Sequence, residues 1–581
     1  MFDITEWVAS SVFRDSDGIW SSSDRREFAY SDGAGPETYI ASVVRNAKDL
    51  TSKSAELENS IIDWASEYHL SRNRAQLLSG FDFSGYGNAL EVGCGCGAMS
   101  RILGEQFENV ISIEGSRSRA RIARSRTRDL GNVEIINSPF QEIEFKRKFD
   151  VIFCIGVFEY SQMFVGGDSP YERILSLFRD YLTETGLLVL AIENQFGLKY
   201  FQGSREDHTA VPFDGIEGYR RYSNKARTFG YEELSRLLAE SFEEVRFFYP
   251  YPDYKIPEGV LSEELLRVPG ISELLGGYAA RDYPNGVVRQ FDERLALREL
   301  EKNKQLHFFA NSFLVIAARG SVDENIFPQL GIHYSSSRVS QFQTETRFVQ
   351  GEDGSISVLK TRVADDGNHP ARRVEHKQVK SEWHQGESIG SEVLLRSLDT
   401  GLSLKEVFSP AVSWVRFLTD EGQDSDGEVT VPGHYLDCLW KNCYRNGEDV
   451  EVIDQEWVWP ERIPLRVIVI RAIYSSVCEI QEISGIQHGL TDSRRRRLIV
   501  EIGRAIGITL TKSDFERFID LECEFMEAVF DIPRSKFEPR LRLSLRSRRA
   551  LEIASGIFQK IATFRRKVFY RILLARQSSP E

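Results

Sequence analysis

The sequence predicts an α/β fold with a doubly wound sheet, followed by an α+β domain and a basic helical tail. Three observations predict the sheet. An apolar run at 89–92 breaks into glycines at 93, 95 and 97, apolar strands and helices alternate after it, and Glu114 closes the second strand. Alternate glycines permit positive φ and let the backbone approach a ligand closely. The loop therefore predicts a nucleotide-type site at one end of the sheet.

The further elements follow from hydrophobic periodicity. After a helix that starts near Met99, the pattern predicts strands at 109–113, 133–137, 149–155 and 186–192, with a helix at 171–182 between the last two. A helix at 231–241 and strands at 244–249 and 308–317 complete the predicted sheet. Glu114 lies about 20 residues beyond the glycines, where a carboxylate can accept hydrogen bonds from both ribose hydroxyls of a nucleoside.

Composition excludes several classes of protein. The 581 residues are too many for one core and predict two to four domains. A net charge of -14 argues against nucleic acid as a general partner. The seven cysteines are scattered, without a disulfide framework or paired metal ligands, which favours a reducing cytoplasm. No signal peptide and no run of about 18 apolar residues is visible, so we expect a chain that is neither secreted nor membrane-spanning.

Residues 61–320 resemble the class I S-adenosylmethionine-dependent methyltransferases. The resemblance is carried by Glu91-Val-Gly-Cys-Gly-Cys-Gly97, by Glu114, and by the strand and turn at 149–156. It implies S-adenosylmethionine as cofactor, with Ser138 and Phe140 beside the adenine and Glu114 on the ribose. The residues implied to surround the rest of the cofactor are Glu91, Gly93, Cys94, Gly95, Gly97 and Ile155. Many members carry an acid where Ser138 stands, and the loop with Ala98 also fits a nicotinamide enzyme.

A polar helix in front of the first strand supplies three more candidates. Tyr68, His69 and Arg72 lie in a segment dense in polar groups that can line the cofactor pocket from above. A capped surface helix is the alternative interpretation of the same segment. Residues 1–60 before it form a leader that is predicted to be rich in helix.

The acceptor is predicted to bind in the insertion after the fifth strand, at about 196–228, because ligands of open α/β sheets bind beyond the carboxyl ends of the strands. A sugar hydroxyl needs a general base, for which His208, helped by Asp207 or Glu193, is the natural candidate. A phosphate acceptor would instead need the cations Arg205, Arg220 and Arg221. His208 as a loop residue that satisfies local backbone is the alternative.

Three phrases of the sequence resemble methyltransferases of bacterial O-antigen and other surface-polysaccharide synthesis. They lie at 192–201, 206–209 and 248–254. This resemblance implies an O-methyltransferase whose acceptor is a glycan or a lipid-linked glycan.

Residues 330–530 resemble the protein-kinase and aminoglycoside-phosphotransferase superfold in the order of their motifs. Lys360 ends an apolar strand, Glu375 on a predicted helix is expected to pair with it, and Asp437 and Asn442 keep the D-x-x-x-x-N spacing. The resemblance implies ATP and Mg²⁺, with Asp437 as base and Asn442 and Asp454 as magnesium ligands. No glycine-rich loop precedes Lys360 and Gln-Glu replaces Phe-Gly after Asp454, so a pseudokinase or glycan-binding scaffold stays open.

The order of the two domains resembles that of the bifunctional kinase and methyltransferase that caps O-antigen chains. Residues 536–581 form a basic tail, with an apolar stripe from Leu551 to Ile572 and arginines opposite. The tail predicts attraction to an anionic membrane surface or to a partner such as a glycosyltransferase. Three functions therefore stay open: a cytoplasmic glycan O-methyltransferase peripheral to the inner membrane, a bifunctional capping enzyme, and a non-catalytic adaptor.

Overall fold

The structure is a computed structural model that describes residues 4–9, 11–22, 33–165, 167–220, 226–278, 290–363, 372–425, 427–483, 490 and 494–546. The chain divides into two compact units. The first comprises residues 1–267, 275–293 and 299–332, and the second comprises 268–274, 294–298 and 333–581. Most of the basic tail, including the stripe from Leu551 to Ile572, lies outside the described residues.

The strands are as follows: β1 (Val12–Arg14), β2 (Trp20–Ser22), β3 (Asn88–Val92), β4 (Asn109–Glu114), β5 (Val133–Asn137), β6 (Phe149–Ile155), β7 (Leu182–Glu193), β8 (Glu244–Tyr251), β9 (Gly259–Ser262), β10 (Ser312–Ala318), β11 (Gly331–Tyr334), β12 (Thr344–Gln350), β13 (Ile356–Arg362), β14 (Glu375–His376), β15 (Val379–Glu382), β16 (Gln423–Ser425), β17 (Glu428–Val431), β18 (Cys443–Asn446), β19 (Asp449–Val452), β20 (Trp457–Val458) and β21 (Ile463–Pro464).

The α-helices are as follows: α1 (Ala34–Asn46), α2 (Ala55–Glu58), α3 (Trp64–Leu70), α4 (Ala98–Gln106), α5 (Arg117–Arg126), α6 (Ser161–Phe164), α7 (Pro170–Tyr181), α8 (Leu198–Phe201), α9 (Tyr231–Ala239), α10 (Glu263–Leu266), α11 (Ile271–Leu275), α12 (Glu293–Lys302), α13 (Leu306–Phe309), α14 (Ile389–Ser397), α15 (Leu404–Val407), α16 (Pro410–Asp420), α17 (Leu465–Glu482), α18 (Arg495–Ala505), α19 (Lys512–Phe530) and α20 (Arg534–Arg546). None of these described helices is long and apolar enough to cross a membrane.

The first unit is built on a mixed sheet in the order β1-β2-β5-β4-β3-β6-β7-β10-β8-β9. Strands β2 to β7 of this order run parallel, whereas β10 runs antiparallel to both β7 and β8. The chain moves outward from β3 in both directions, to β4 on one side and to β6 on the other. A crevice opens at the carboxyl ends of strands where their order reverses in this way, so the loops after β3, β4 and β6 meet there.

The apolar runs of the sequence become buried strands because helices cover both faces of a parallel sheet. Leu90, Ile111, Ile135, Ile152 and Val189 lie on adjacent strands and are all fully or almost fully buried. The sequence therefore predicts the doubly wound core correctly.

Three details of the first unit differ from the predictions. Residues 308–311 are not strand, because α13 occupies 306–309 and β10 begins only at Ser312. The fifth strand is longer than predicted and begins directly after α7. The leader is not purely helical, since β1 and β2 extend the edge of the sheet beside β5.

The second unit contains an antiparallel sheet, β12-β13-β15, and a helical part built around α17. The helix α17 is apolar over most of its length, and its buried residues include Ile468, Ile470 and Ile473. Its apolar side chains belong to one cluster with buried tryptophans such as Trp414 and Trp440. The cluster gives this unit a hydrophobic core of its own.

Candidate active site

The loop between β3 and α4 needs glycine. Gly93, Gly95 and Gly97 have φ angles of 79°, 55° and 84°. Residues other than glycine rarely adopt such positive φ angles. A Cβ at Gly93 would lie 2.4 Å from Cγ2 of Val157, and one at Gly97 would lie 2.6 Å from Cα of Ala123. The glycines therefore serve both the turn and the close packing of backbone on neighbouring elements.

Glu114, at the end of β4, holds this loop in place. One carboxylate oxygen accepts the backbone N–H of Gly95 at 2.7 Å, and the other accepts that of Ser116 at 2.8 Å. The side chain is buried and lines the cavity described below. The structure thus brings together the loop and the acid that the sequence singled out 19 residues apart. The ribose contact of Glu114 stays a prediction.

Glu91 is buried at the end of β3 with two hydroxyl donors. The same oxygen, Oε2, accepts from Ser100 at 2.6 Å and from Ser112 at 2.7 Å. Burial raises the pKa of Glu91 to about 7, although the two hydroxyls oppose the shift. The charge of this carboxylate therefore changes close to neutral pH.

A cavity of about 300 Å³ opens beside the glycine loop. It is lined by most of the residues that the sequence predicted, from six separate segments: Tyr68, His69, Glu91, Gly93, Cys94, Gly95, Glu114, Ile155, Glu193, Asp207 and His208. Gly97 lies one step further along the loop and packs against α5 instead. Donor-site and acceptor-site candidates therefore share one cavity.

A smaller cavity of about 60 Å³ lies beyond Gly93 and Gly115. Ser138, Phe140 and Gln141 line it, together with apolar side chains that include Phe158 and Phe178. This slot contains the residues for which the resemblance implies contact with adenine, and a flat aromatic base suits its apolar walls. The contact itself stays a prediction.

Arg72 does not line the cavity, and Arg74 does. The guanidinium of Arg74 lies 4.4 Å from the ring centroid of Tyr68 and donates to the backbone carbonyls of Tyr254 and Lys255. The backbone N–H of Arg72 instead donates to Glu58. The short 3₁₀ helix at 72–77 turns Arg74 toward the pocket, and contact of Arg72 with the cofactor stays a prediction.

His208 meets three carboxylates. Its Nδ1 lies 2.9 Å from Oε1 of Glu206, while its Nε2 lies 3.5 Å from Oε1 of Glu159 and 4.0 Å from Oε2 of Glu193. Burial alone would lower the pKa of His208, but the bonds to Glu159 and Glu206 and the charge of Glu193 outweigh it and raise the pKa well above 6.5. Both ring nitrogens thus face carboxylates, and the role of His208 as general base stays a prediction.

Two glutamates beside His208 have one oxygen each that accepts no hydrogen bond from the described residues. These atoms are Oε2 of Glu159 and Oε2 of Glu193, and both side chains are 1% exposed. Burial raises the pKa of Glu159, against the effect of its bond to His208. A buried carboxylate with a raised pKa is a better proton acceptor than an exposed one.

Asp207 does not assist His208 as the sequence suggested. Its Oδ2 accepts from Lys199 at 2.8 Å and from the hydroxyl of Tyr200 at 2.9 Å, and it lies 3.3 Å from Nζ of Lys255. The two lysines outweigh burial and lower the pKa of Asp207. Glu206, one residue earlier, takes the place beside His208 because the turn at 206–210 directs alternate side chains to different partners.

Sequence reasoning missed Glu159, Glu206, Tyr254 and Lys255. Lys255 lies 2.5 Å from Oε1 of Glu193 and thereby links the end of β7 to the segment after β8. A signal existed for Glu159, since it comes shortly after the carboxyl end of β6, while Glu114 is the last residue of β4. The other residues come together only through folding. Arg205 and Arg220 are exposed and do not line the cavity, and Arg221 lies outside the described residues.

The second unit has a compact ionic network around Lys360. The Lys360 ammonium pairs with Asp454 and lies 3.2 Å from Oε1 of Glu456. Glu456 also binds Arg338 through two nitrogens, at 2.7 and 2.9 Å, and His376 at 2.9 Å. Lys360 and Asp454, predicted to act in one site, are thus in contact.

Glu375 does not pair with Lys360. It lies on β14 rather than on a helix and is exposed, opposite Val458 of β20. The carboxylates of Asp454 and Glu456 occupy the position that was expected for it.

Asp437 and Asn442 also lie in contact. The amide nitrogen of Asn442 donates to the carboxylate of Asp437 at 3.2 Å, which leaves the amide oxygen as the atom suited to a hard cation. The other carboxylate oxygen of Asp437 accepts from Arg471 at 2.9 Å, and Arg471 pairs in turn with Glu522. Magnesium binding by Asn442 and Asp454 stays a prediction, and Asp437 is held in an ion pair with Arg471.

Residues 89–167 match the family model described as a methyltransferase domain. Among solved structures, the chain is similar to a SAM-dependent methyltransferase from Thermotoga maritima, with 16% identity, 44% of this chain and 91% of that one covered, and a TM-score of 0.26. It is also similar to phosphoethanolamine N-methyltransferase 2 of Haemonchus contortus, solved with phosphomonomethylethanolamine and S-adenosylhomocysteine (14%, 43% and 52% covered, TM-score 0.26). A third is the N-methyltransferase NodS of Bradyrhizobium japonicum (18%, 33% and 85% covered, TM-score 0.22). The comparison with curated proteins found no match.

The matched residues contain the glycine loop, Glu114 and the strand β6, which form the donor side of the cavity. The chain therefore carries a methyltransferase domain, and the nicotinamide interpretation of the loop is set aside. S-adenosylmethionine as the methyl donor of this domain stays a prediction.

Proposed function

We propose that the protein transfers a methyl group from S-adenosylmethionine to a hydroxyl of a bacterial surface-polysaccharide glycan or of its lipid-linked precursor. The main support for this proposal is that the glycine loop and the cluster of Glu159, Glu193 and His208 line one and the same cavity. A hydroxyl acceptor must lose a proton during methyl transfer, whereas an already ionised phosphate need not. The cluster offers proton-accepting carboxylates at the end of the cavity where an acceptor would meet the donor.

The residues of the donor side fit S-adenosylmethionine. The loop backbone comes close to the cavity because Gly93 and Gly95 have no side chains, and Glu91 supplies a negative charge above pH 7 for an ammonium group. When bound, the cofactor supplies an electrophilic methyl group. The chain orients the two reactants for in-line attack, and Glu159 accepts the hydroxyl proton on a carboxylate oxygen.

The choice of a glycan rests on the sequence resemblance and on the chemistry of the acceptor side. Tyr68, Tyr160, Tyr254 and Lys255 line the cavity around the carboxylates. Aromatic faces combined with charged hydrogen-bonding groups suit sugar rings, which have apolar faces and polar edges. Neither exposed arginine of the insertion lines the cavity, which favours a hydroxyl over a phosphate acceptor.

The test is methyl transfer from labelled S-adenosylmethionine to a panel of acceptors on the purified full chain. We expect transfer to O-antigen-type oligosaccharides at a rate above that for matched amines and for sugar phosphates. Removal of the label by an enzyme or reagent that cleaves the sugar methyl ether identifies the product. Exclusive methylation of an amine or of a phosphate would contradict the proposal.

A second candidate is the bifunctional enzyme that also phosphorylates the glycan terminus. It is favoured by the contacts of Lys360 with Asp454 and of Asn442 with Asp437. Lys360 would hold the phosphates of ATP, Asn442 and Asp454 would hold Mg²⁺, and Asp437 would accept the proton of the sugar hydroxyl. Calorimetry with MgATP tests it, because an adaptor or pseudokinase without nucleotide binding would give no saturable heat.

For location, we propose the cytoplasm with attachment to the inner membrane or to a glycosyltransferase through residues 536–581. The proposal is supported by the twelve Lys or Arg against two Glu between residues 536 and 577. Sedimentation of the full chain with vesicles that contain anionic lipid, compared with a chain ending at residue 546, separates the two kinds of partner. Loss of vesicle binding on truncation supports attachment to an anionic membrane through the tail. Equal binding to neutral and to anionic vesicles contradicts an attachment that depends on the basic charge of the tail.

A further inference from the structure

We infer that Glu159, Glu193 and His208 form a binding site for a divalent cation such as Mn²⁺ at the acceptor end of the cavity. For the role of the cation, though not for its binding, the inference rests on the proposed function. A carboxylate oxygen from each glutamate and one ring nitrogen of His208 all lie within 4.8 Å of one another. Ligands on a common ion at about 2.1 Å lie up to about 4.2 Å apart, so a small closure of the side chains completes the site.

The two glutamates provide an independent observation that points to a ligand. Oε2 of Glu159 and Oε2 of Glu193 accept no hydrogen bond anywhere in the described part of the chain, although both side chains are 1% exposed. A buried carboxylate oxygen without a donor is costly, and proteins normally satisfy such atoms with a donor or a metal ion. Both residues line the cavity, so an ion can reach them from solvent.

The surroundings orient the ligands. Glu206 binds Nδ1 of His208 at 2.9 Å, which directs Nε2 toward Glu159 and Glu193. A carboxylate behind a histidine in this way is the usual outer-shell arrangement of metal-binding histidines. Lys255 lies against Oε1 of Glu193, so that Oε2 is the oxygen that faces His208. Two of the three ligands, His208 and Glu193, are therefore held from behind by residues that would not themselves bind the cation.

The ligand set indicates the kind of cation. Two carboxylates favour hard ions such as Mg²⁺ and Mn²⁺, while an imidazole favours first-row transition metals, and Mn²⁺ accepts both. Three protein ligands leave coordination positions for water or for the acceptor oxygen. A cation there would hold the acceptor hydroxyl and stabilise its ionised form. Because each residue gives one ligand atom, the second oxygen of Glu159 stays available for the proton.

The experiment is a titration of the full chain with Mn²⁺ after dialysis against a chelator, followed by electron paramagnetic resonance. We expect one Mn²⁺ per chain, with nitrogen coupling from an imidazole in the wild-type spectrum. The Glu159→Gln and Glu193→Gln variants should each bind Mn²⁺ about 100-fold more weakly. The Glu240→Gln variant, at an exposed position outside the cavity, is the control and should bind Mn²⁺ as the wild type does.

Binding of S-adenosylhomocysteine by each variant shows that it is folded. The inference is overturned by absence of saturable Mn²⁺ binding, by Mn²⁺ binding that both glutamine variants retain, or by a wild-type Mn²⁺ spectrum without nitrogen coupling. That last measurement needs no variant and stays decisive if a variant does not fold. Mn²⁺ binding without glycan methylation would refute the proposed acceptor alone, and undiminished glycan methylation by a chain that binds no Mn²⁺ would refute the cation site alone.

Discussion

The ionic clusters of the two units differ in how far their charges are satisfied. In the first unit, Glu159 and Glu193 each have a buried oxygen that accepts no hydrogen bond from the residues the structure describes. In the second unit, Lys360, Asp454 and Glu456 are tied together by ion pairs, and Asp437 is tied to Arg471. Unsatisfied buried charge indicates a site that awaits a ligand, whereas charges that are already satisfied by ion pairs need no ligand.

The comparison predicts that the cluster of the first unit is needed for chemistry more than for folding. Changing Glu159 to Gln should lower the rate of methyl transfer about 10² to 10⁴-fold, the usual contribution of a general base. S-adenosylhomocysteine affinity should be unchanged, because Glu159 lies at the acceptor end of the cavity. Rates with saturating cofactor and calorimetry measure the two effects. Glu240→Gln, at an exposed position, is the control, and full activity of the Glu159 variant would remove this carboxylate from the mechanism.

The second unit allows the converse test, in which a network of already satisfied charges is examined for catalytic activity. If its network is a working phosphotransfer site, changing Asp437 to Asn should lower phosphate transfer about 10² to 10⁴-fold and leave the rate of methylation as it is. The variant lacks the carboxylate that would act as the base, whereas the new asparagine has about the size of the aspartate and keeps the contact with Asn442. Labelled phosphate transfer to the glycan measures the effect. Phosphate transfer that persists in this variant would exclude Asp437 as the base.

The glycine loop tests whether the shape of its backbone, rather than the charges around it, is needed for cofactor binding. Changing Gly93 to Ala forces a side chain into a positive φ and within 2.4 Å of Val157. Strain and overpacking of about 3 kcal/mol would weaken S-adenosylhomocysteine binding roughly 100-fold. Gly85→Ala is the matched control, because nothing lies within 4 Å of its added Cβ. Equal affinity in calorimetry for the Gly93 variant and the wild type would show that the loop backbone does not contact the cofactor.

The smallest expected effect concerns Glu91, whose replacement should change how the stability of the chain depends on pH. Its pKa is raised from 4.5 to about 7 in the folded chain, so the folded state holds its proton more tightly than the unfolded one does. The stability that this proton provides is complete below pH 4.5 and is lost as pH rises through 7, by about 3 kcal/mol at most. Replacing Glu91 with Gln should remove this loss and raise the melting temperature at pH 8 more than at pH 5. Parallel pH profiles for the two chains would contradict the raised pKa.

The donor side of the cavity could be predicted from the sequence because its determinants are local. Glycines that alternate in a tight turn, and an acid at the end of the next strand, follow from backbone sterics and from the period of the parallel strands. The structure places Gly93, Gly95 and Glu114 together as the sequence indicated. The strands at 133–137 and 149–155 were predicted to the residue, since each is a short apolar run between turns.

The acceptor side was decided by tertiary structure. Glu159, Glu193, His208 and Lys255 come from four separate segments of the chain, and no periodicity in the sequence relates them. Within one turn the fold chose Glu206 rather than Asp207 as the partner of His208, because two buried lysines claim Asp207. The sequence by itself determined the sheet, the cofactor loop and the types of ionisable residue near it. Which of those residues meet, and which keep an oxygen for a ligand, depends on long-range packing that fixes charges a few ångströms apart.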